Sequence, residues 1–150
     1  MIDLSLLFNI ANFYALPFWL LMVILPKWVV TQKVMSSYLP FVPLAGLYIY
    51  LFGGSLDPES AEAFSNPTLP VLAQLFSQEP VMLTGWIHFI VLDLFTGRYV
   101  YLEGREKGFF TIHSLILCFF AGPIGLLSHI VTSWIQLKVS KPEEIEASAT

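Results

Sequence analysis

The sequence predicts an all-α membrane protein, a four-transmembrane-helix bundle with a short interfacial helix between spans two and three. Of the 150 residues, 56% are apolar and 12% are charged, against about 25% charged residues in a soluble domain. The charges also avoid three long stretches, residues 4–26, 34–56 and 108–137. Apolar runs of about 20 residues match the thickness of a bilayer core. Membrane barrels need at least about eight strands of alternating polarity, so these continuous runs predict helices.

The four predicted spans follow the apolar runs of the chain and cover about residues 4–25, 38–52, 81–102 and 109–137. Together they form a predicted membrane domain, residues 1–137, and we expect the polar tail 138–150 to be disordered. Pro17 should kink the first span. The step Gly122-Pro123 should break or kink the fourth, because proline lacks the backbone donor that a helix interior needs.

The connector between the second and third spans, residues 55–79, holds Asp57 and three glutamates but no Lys or Arg. Its segment Leu69–Phe76 is apolar but too short to cross a bilayer, which predicts an interfacial or re-entrant helix. The positively charged residues decide the orientation, since they collect in cytoplasmic loops. Five of the seven lie around the loops after the first and third spans, at Lys27, Lys33, Arg98, Arg105 and Lys107. Both termini are therefore predicted on the non-cytoplasmic side.

Charge and composition exclude several function classes. The net charge of −4 argues against nucleic-acid binding, which needs clustered Lys and Arg to neutralise phosphates. The single cysteine, Cys118, excludes an intramolecular disulfide and a multi-cysteine metal site. The three histidines show no metal-ligand spacing within one helix. No phosphate loop, nucleophile elbow or HExxH motif is present. We therefore expect no metal and no cofactor.

Asp93 is the most informative residue, because it lies inside a predicted span. An ionised carboxylate near the bilayer centre costs about 2.5–3.5 kcal/mol, so such a residue faces the bundle interior, pairs with a cation or stays protonated. With about 100° per helical residue, Trp86, Asp93 and Gly97 lie within roughly 40° of one another. His88 lies about 140° from Asp93 and should meet a neighbouring span. Asp93 is either a functional residue or a structural hydrogen-bond partner.

Two further helix faces carry polar or small residues. In the first span, Asn9 and Asn12 share a face, and buried amides in membrane helices hydrogen-bond to neighbouring helices. In the fourth span, a stripe within about 80° combines small and polar side chains. Its members are Ser114, Cys118, Gly122, Gly125, His129 and Thr132. Close helix packing is the default interpretation of such a stripe, and a binding pocket is the alternative.

The aromatic residues, 13 Phe, 6 Tyr and 4 Trp, admit two interpretations. Some belong to interfacial belts. The others either face lipid or line a cavity for a long apolar ligand.

Two motifs carry a family resemblance. They are Gly85-Trp86-Ile87-His88-Phe89 followed by Asp93-Leu94-Phe95-Thr96-Gly97-Arg98, and Gly122-Pro123-Ile124-Gly125-Leu126-Leu127. Together they resemble the abscisic-acid-deficient-4-like family, small four-span membrane proteins of plastids and cyanobacteria. The resemblance covers nearly the whole chain, including the exit of the first span at Pro26-Lys27-Trp28.

The resemblance implies a role in carotenoid metabolism, since the plant members of that family are associated with neoxanthin synthesis. The implied reaction is the isomerisation of violaxanthin, in which an epoxide opens while a proton leaves the polyene to give an allene. Such a reaction needs a general acid and a base but no redox cofactor. Residue by residue, Asp93 and His88 are then the candidates for acid and base, and Arg98 orients the substrate ring or holds the loop. Substrate binding is expected at Trp86, Arg98, Asn9, Asn12, Gly122, Gly125 and His129.

Three functions stay open. The first is an enzyme similar to a carotenoid isomerase. The second is a non-catalytic module that binds carotenoid or chlorophyll, or an accessory subunit of a photosynthetic membrane complex. The third is a small transporter, although four spans without an internal repeat fit that class poorly. Membrane lipid and a carotenoid are the expected partners, with photosynthetic membrane proteins in the second case. Since no Arg- and Ser-rich transit segment precedes the first span, we expect a cyanobacterial thylakoid or plasma membrane.

Overall fold

The computed structural model describes residues 3–55 and 58–147 of the chain, and within them the secondary structure is helical, which confirms the all-α class. A 3-10 turn, Leu39–Phe41, precedes the third α-helix. The α-helices of this described part are α1 (Leu4–Ile24), α2 (Val29–Ser36), α3 (Val42–Gly54), α4 (Pro58–Ser65), α5 (Leu69–Leu75), α6 (Glu79–Lys107), α7 (Ile112–Phe120) and α8 (Gly122–Ala147).

The number of helices that qualify as membrane spans is smaller than predicted. By length and composition, α1 and α6 can cross a bilayer, and α2 with the segment Leu39–Gly54 adds a third span if the bent pair is counted as one. The 13 residues of α3 reach about 20 Å at 1.5 Å per residue, short of a bilayer core of about 30 Å. The structure therefore gives two or three spanning helices rather than four clear ones.

The predicted fourth span is interrupted where the sequence indicates. Helix α7 ends at Phe120, Ala121 is extended with φ −160° and ψ 94°, and α8 begins at Gly122. Pro123 thus occupies the first turn of α8, where the missing N–H costs no helical hydrogen bond. The predicted break is confirmed, and its reason is that a proline in mid-span starts a new helix.

Other predicted elements differ from the structure in their bounds. The short helix predicted over Leu69–Phe76 is present as α5, and α4 precedes it in the same connector. The predicted loop after the first span contains α2. Helix α8 runs to Ala147, into the segment 138–150; residues 148–150 lie outside the described residues, and disorder of the tail stays a prediction.

The chain divides into two compact units. The first unit comprises Met1–Pro17 and Ser37–Leu92, and the second comprises Phe18–Ser36 and Asp93–Thr150. Each unit has its own buried apolar side chains. Those of the first include Leu44, Leu75, Leu83 and Ile87, and those of the second include Met22, Met35, Leu94, Val100 and Leu115. Many large apolar side chains are exposed instead, such as Phe13 at 70% and Ile24 at 65%. Such surfaces fit contact with lipid.

In the second unit, polar side chains of α6 bind the carbonyl groups that helix ends leave without partners. The Tyr101 hydroxyl donates to the Pro26 carbonyl at 2.8 Å, and Arg105 donates to the same oxygen at 2.9 Å. The Arg98 guanidinium donates to the carbonyl groups of Met35 and Ser36, at 2.6 Å and 3.3 Å. These bonds satisfy acceptors at the end of α1 and of α2, which an apolar environment makes costly to leave unpaired.

Replacing Tyr101 with phenylalanine should lower the free energy of unfolding by about 0.5–1 kcal/mol, because a buried hydrogen bond is lost while Arg105 still serves the same carbonyl. Reversible unfolding in detergent measures this loss. Tyr50→Phe is the matched control, since Tyr50 is 58% exposed. Equal effects of the two substitutions would contradict a role for the Tyr101 hydroxyl.

Candidate functional site

The first unit contains a cavity of about 230 Å³ walled by aromatic rings from α3, α4 and α6, here named the aromatic cavity. Tyr48 stacks on Phe52 with ring centroids 5.7 Å apart, and Phe52 lies 6.3 Å from Phe64. His88 enters this wall, with its ring 5.7 Å from that of Tyr48 and 6.3 Å from that of Phe89. The cavity therefore combines an apolar surface with one imidazole. These features are typical of a site for an apolar ligand that carries a polar group.

A second cavity of the first unit, about 330 Å³, lies along Trp86 and is here named the tryptophan cavity. The Trp86 indole N–H donates to Asn12 Oδ1 at 3.2 Å, and the Phe8 ring lies 5.7 Å from the Trp86 ring. Asn9 lines the same cavity. The structure thus brings together Trp86 of the third predicted span with Asn9 and Asn12 of the first. The sequence analysis proposed all three as substrate-binding residues. That they bind substrate stays a prediction.

Asp93 lies in the second unit, where its carboxylate contacts the break between α7 and α8. It is half-buried, and it accepts a hydrogen bond from the backbone of Gly122, the first residue of α8. The amino-terminal N–H groups of a helix have no partner within that helix, and a negative charge there is stabilised by the helix dipole. Asp93 therefore caps α8 from a neighbouring helix, which is the structural role the sequence left open.

Glycines of the second unit permit close contacts at the positions of the predicted stripe. A Cβ atom at Gly122 would collide with the Asp93 carboxylate, and one at Gly125 would collide with Cys118. At Gly97 a Cβ atom would lie 2.5 Å from the Trp19 ring. Close packing explains Gly122 and Gly125 without a ligand, in line with the default interpretation of such a stripe. Their proposed contact with substrate stays a prediction.

His129 is 1% exposed and pairs with a residue that the sequence did not nominate. Its Nε2 lies 2.7 Å from Glu103 Oε2, while Lys107 binds the other carboxylate oxygen and the Tyr99 ring stands perpendicular to the imidazole. The other nitrogen, Nδ1, is buried and has no hydrogen-bond partner among the described residues. Sequence reasoning missed Glu103 because the third predicted span ends at residue 102 and leaves Glu103 in the loop that follows. The i, i+4 spacing of Glu103 and Lys107 was the available signal.

The remaining candidates occupy separate places. Arg98 binds the backbone of α2 through the bonds described above, and its contact with a substrate stays a prediction. His88 belongs to the first unit and Asp93 to the second, so their pairing as acid and base stays a prediction. Within the described residues, no group of three or more His, Cys, Asp or Glu side chains could hold a metal ion.

The protein belongs to the class of small helical proteins that associate with membranes. Its apolar helices of spanning length, its polar groups bound to helix ends and its aromatic cavities define that class. The model of the family described as ABA DEFICIENT 4-like matches residues 6–129, and the chain belongs to that family. It is 40% identical over 136 residues to "Protein ABA DEFICIENT 4, chloroplastic" of Arabidopsis thaliana. The match covers 87% of this chain and 62% of that relative, so the chain spans less than two thirds of the relative's length. No solved structure matches.

Gly122→Ala should destabilise the second unit, because the new methyl group must displace the Asp93 carboxylate that caps α8. We expect a loss of about 1–3 kcal/mol, the usual cost of overpacking, measured by unfolding in detergent. The control is Gly46→Ala in α3, where no atom other than its chain neighbours and the backbone of its own helix lies within 4 Å of the new Cβ. That substitution should be neutral or stabilising, since alanine favours the helix by up to about 1 kcal/mol. Similar stability of both variants would refute the close approach.

Proposed function

We propose that the protein acts in carotenoid metabolism by binding a xanthophyll in the first unit and isomerising its epoxide to an allene. The observation that carries this proposal is the aromatic cavity with His88 in its wall. Membership of the ABA DEFICIENT 4-like family supports it. A long polyene is apolar along its chain and polar at its rings, so aromatic walls with a few polar side chains suit it.

The chemistry needs one proton donated and one removed. A general acid protonates the epoxide oxygen as its carbon–oxygen bond breaks, and a base removes a proton from the adjacent polyene carbon, which leaves an allene and a hydroxyl group. Atoms and electrons balance without a redox partner. His88 is the imidazole of the cavity wall, and a neutral or protonated imidazole serves either step near neutral pH. His88 and Asp93 are our candidates for base and acid.

The two roles of Asp93 make different demands on its side chain. An asparagine at position 93 keeps an oxygen that accepts the Gly122 N–H, whereas it has no carboxyl proton to give. An alanine removes both functions. Measurements of stability and of activity therefore distinguish the capping role of Asp93 from its role as a general acid.

Expression of the chain with violaxanthin should yield neoxanthin, and His88→Gln should reduce the yield by about 10²–10⁴-fold, the usual contribution of a general acid or base. Pigment chromatography measures both. His113→Gln, a histidine of the second unit, is the matched control and should keep most of the activity. Absence of neoxanthin with the unaltered chain would exclude this substrate.

Asp93→Asn should lose activity by a similar factor while keeping the unfolding midpoint, and Asp93→Ala should lose both. If Asp93→Asn keeps full activity, Asp93 is a capping residue alone and not the acid. The pigment assay and unfolding in detergent are run on the same preparations.

The second candidate function is a non-catalytic carotenoid-binding module. The observation that favours it is the Gly122 contact, which occupies the Asp93 carboxylate in packing and leaves a single imidazole at the aromatic cavity. Co-purification of a carotenoid at fixed stoichiometry, together with no turnover of violaxanthin, would establish this alternative. A colourless protein that converts violaxanthin would exclude it.

We also propose that α7 and the first part of α8 form a re-entrant pair on the side of the membrane where α6 ends, rather than the fourth span that the uncharged run 108–137 predicts. His113 Nε2 lies 2.8 Å from Thr132 Oγ1, and Ser114 Oγ lies 3.0 Å from Ser128 Oγ, so α7 and α8 run antiparallel. Helix α8 runs parallel to α6, since Gly122 contacts Asp93 and His129 contacts Glu103. The distribution of Lys and Arg then favours the amino terminus on the non-cytoplasmic side and the end of α8 on the cytoplasmic side. A thylakoid or plasma membrane of a cyanobacterium is the proposed location.

Cysteine labelling tests this topology in intact vesicles, in a background where Cys118 is replaced by alanine. Ser65→Cys should react with a membrane-impermeant maleimide from one side, and Glu106→Cys and Val139→Cys from the other. If Val139→Cys reacts from the same side as Ser65→Cys, the segment 108–137 crosses the membrane as a fourth span and the re-entrant pair is excluded.

A further inference from the structure

Phe76 lines both the aromatic cavity and the tryptophan cavity of the first unit. Among the described residues that line them, it is the one side chain common to the aromatic cavity and the tryptophan cavity. It follows the last residue of α5, and its N–H donates to the Leu72 carbonyl at 2.9 Å. The neighbouring Leu75 is 3% exposed and holds the end of α5 in the unit. The ring is thus attached to a fixed backbone while 37% of the residue is exposed.

Gly85 of α6 provides the space that this ring occupies. A Cβ atom at position 85 would lie 2.7 Å from Phe76 Cε1 and 3.5 Å from Cδ1. Real carbon atoms do not approach so closely, so any larger residue at 85 displaces the ring. The atoms in question are the far edge of a side chain with two rotatable bonds. The ring can therefore turn without movement of the backbone.

The sizes of the cavities matter for the kind of ligand they hold. Small-molecule sites measure about 300–1,000 Å³. The aromatic cavity, at about 230 Å³, falls below that range, and the tryptophan cavity, at about 330 Å³, is at its lower end. Neither suits a long polyene alone, whereas both together do. Each also offers polar groups for one end of a ligand, His88 and Thr84 in the first and Asn9 and Ser5 in the second.

We propose that Phe76 is a specificity-determining residue whose ring separates the two cavities, so that it must turn aside for one elongated ligand with a polar group at each end to occupy both. The inference rests on the proposed function, because it takes the ligand to be a polyene with hydroxylated end rings. A ligand of half that length fits one cavity and leaves the ring in place. Phe76 thereby sets the cost of binding a long ligand relative to a short one.

A third cavity of about 300 Å³ offers a route that avoids Phe76. It shares Ser55 with the aromatic cavity and Leu4 with the tryptophan cavity. A ligand on that route would contact both cavities without moving the ring. Substitution of Phe76 would then change the affinity for long and for short ligands by the same factor. This result distinguishes the two routes.

The test compares two probes on the full chain purified in mild detergent. Zeaxanthin is a 40-carbon polyene with a hydroxylated ring at each end, and retinol is a 20-carbon polyene with one hydroxyl group. Titration by polyene absorbance gives the dissociation constant of each. Phe76→Ala should raise the preference for zeaxanthin over retinol by about tenfold, which corresponds to about 1.4 kcal/mol. Phe76→Trp should lower that preference.

Phe89→Ala is the matched control, since Phe89 lines the aromatic cavity alone. It removes a contact with the long probe and leaves the Phe76 ring in place, so it should not raise the preference for zeaxanthin over retinol. Phe76→Leu replaces the alanine variant if that protein does not fold, as judged by its circular dichroism. Gly85→Ala should change the ratio of the two dissociation constants when Phe76 is present. It should have no effect on that ratio in the Phe76→Ala background.

Each outcome decides the question. An unchanged ratio in Phe76→Ala, or an equal change in Phe89→Ala, overturns the inference and leaves the proposed function intact. An effect of Gly85→Ala that persists without the Phe76 ring also overturns it. If the unaltered protein binds neither probe, this inference fails, whereas the proposed function is decided separately by the conversion of violaxanthin.

Discussion

Backbone hydrogen-bonding groups at the ends of helices have to be satisfied where little water reaches them, and the second unit depends on how α6 does this. Arg98, Tyr101 and Arg105 donate to the carbonyl groups that end α1 and α2. Asp93 accepts the first N–H of α8. In water such groups would be hydrated at little cost, but in an apolar environment each unpaired group costs several kcal/mol. Helix α6 therefore carries hydrogen-bond donors in its last turns and an acceptor, Asp93, nearer its middle. Each of these groups binds the end of a neighbouring helix.

The same constraint changes how a carboxylate within a span is interpreted. An acid in a predicted membrane helix suggests a functional site, because its desolvation must be offset by something. The broken helix supplies that offset here, since the amino terminus of α8 presents unpaired N–H groups and a partial positive charge. Gly122 allows the two backbones to approach closely enough for the bond. The structural role and a catalytic one are compatible, but the first alone suffices to explain why Asp93 is tolerated.

The sequence predicts the features that depend on one helix and misses those that depend on the contact of several. The apolar runs give the helical class, and Pro123 gives the break before α8, because both follow from local backbone chemistry. The spacing of Asn9, Asn12 and Trp86 does not reveal that two of them share a hydrogen bond, since they belong to different helices. The same holds for the pair Glu103 and His129, which no spacing joins. The sequence predicts four spans where two or three helices are long and apolar enough to cross a bilayer, because charge-free length does not show where a helix bends or stops.

The two units use their polar side chains in different ways, and this difference bears on function. In the second unit, Arg98 binds backbone carbonyl groups, and Glu103 binds Nε2 of His129. In the first unit, His88 contacts aromatic rings and has no hydrogen bond to another described residue. A polar group already engaged in packing has to lose a bond before it can bind a ligand, whereas one in the wall of a cavity does not. By this criterion, the proposed recognition of an apolar ligand belongs to the first unit, while Arg98, Tyr101 and Arg105 of the second unit satisfy the ends of its helices.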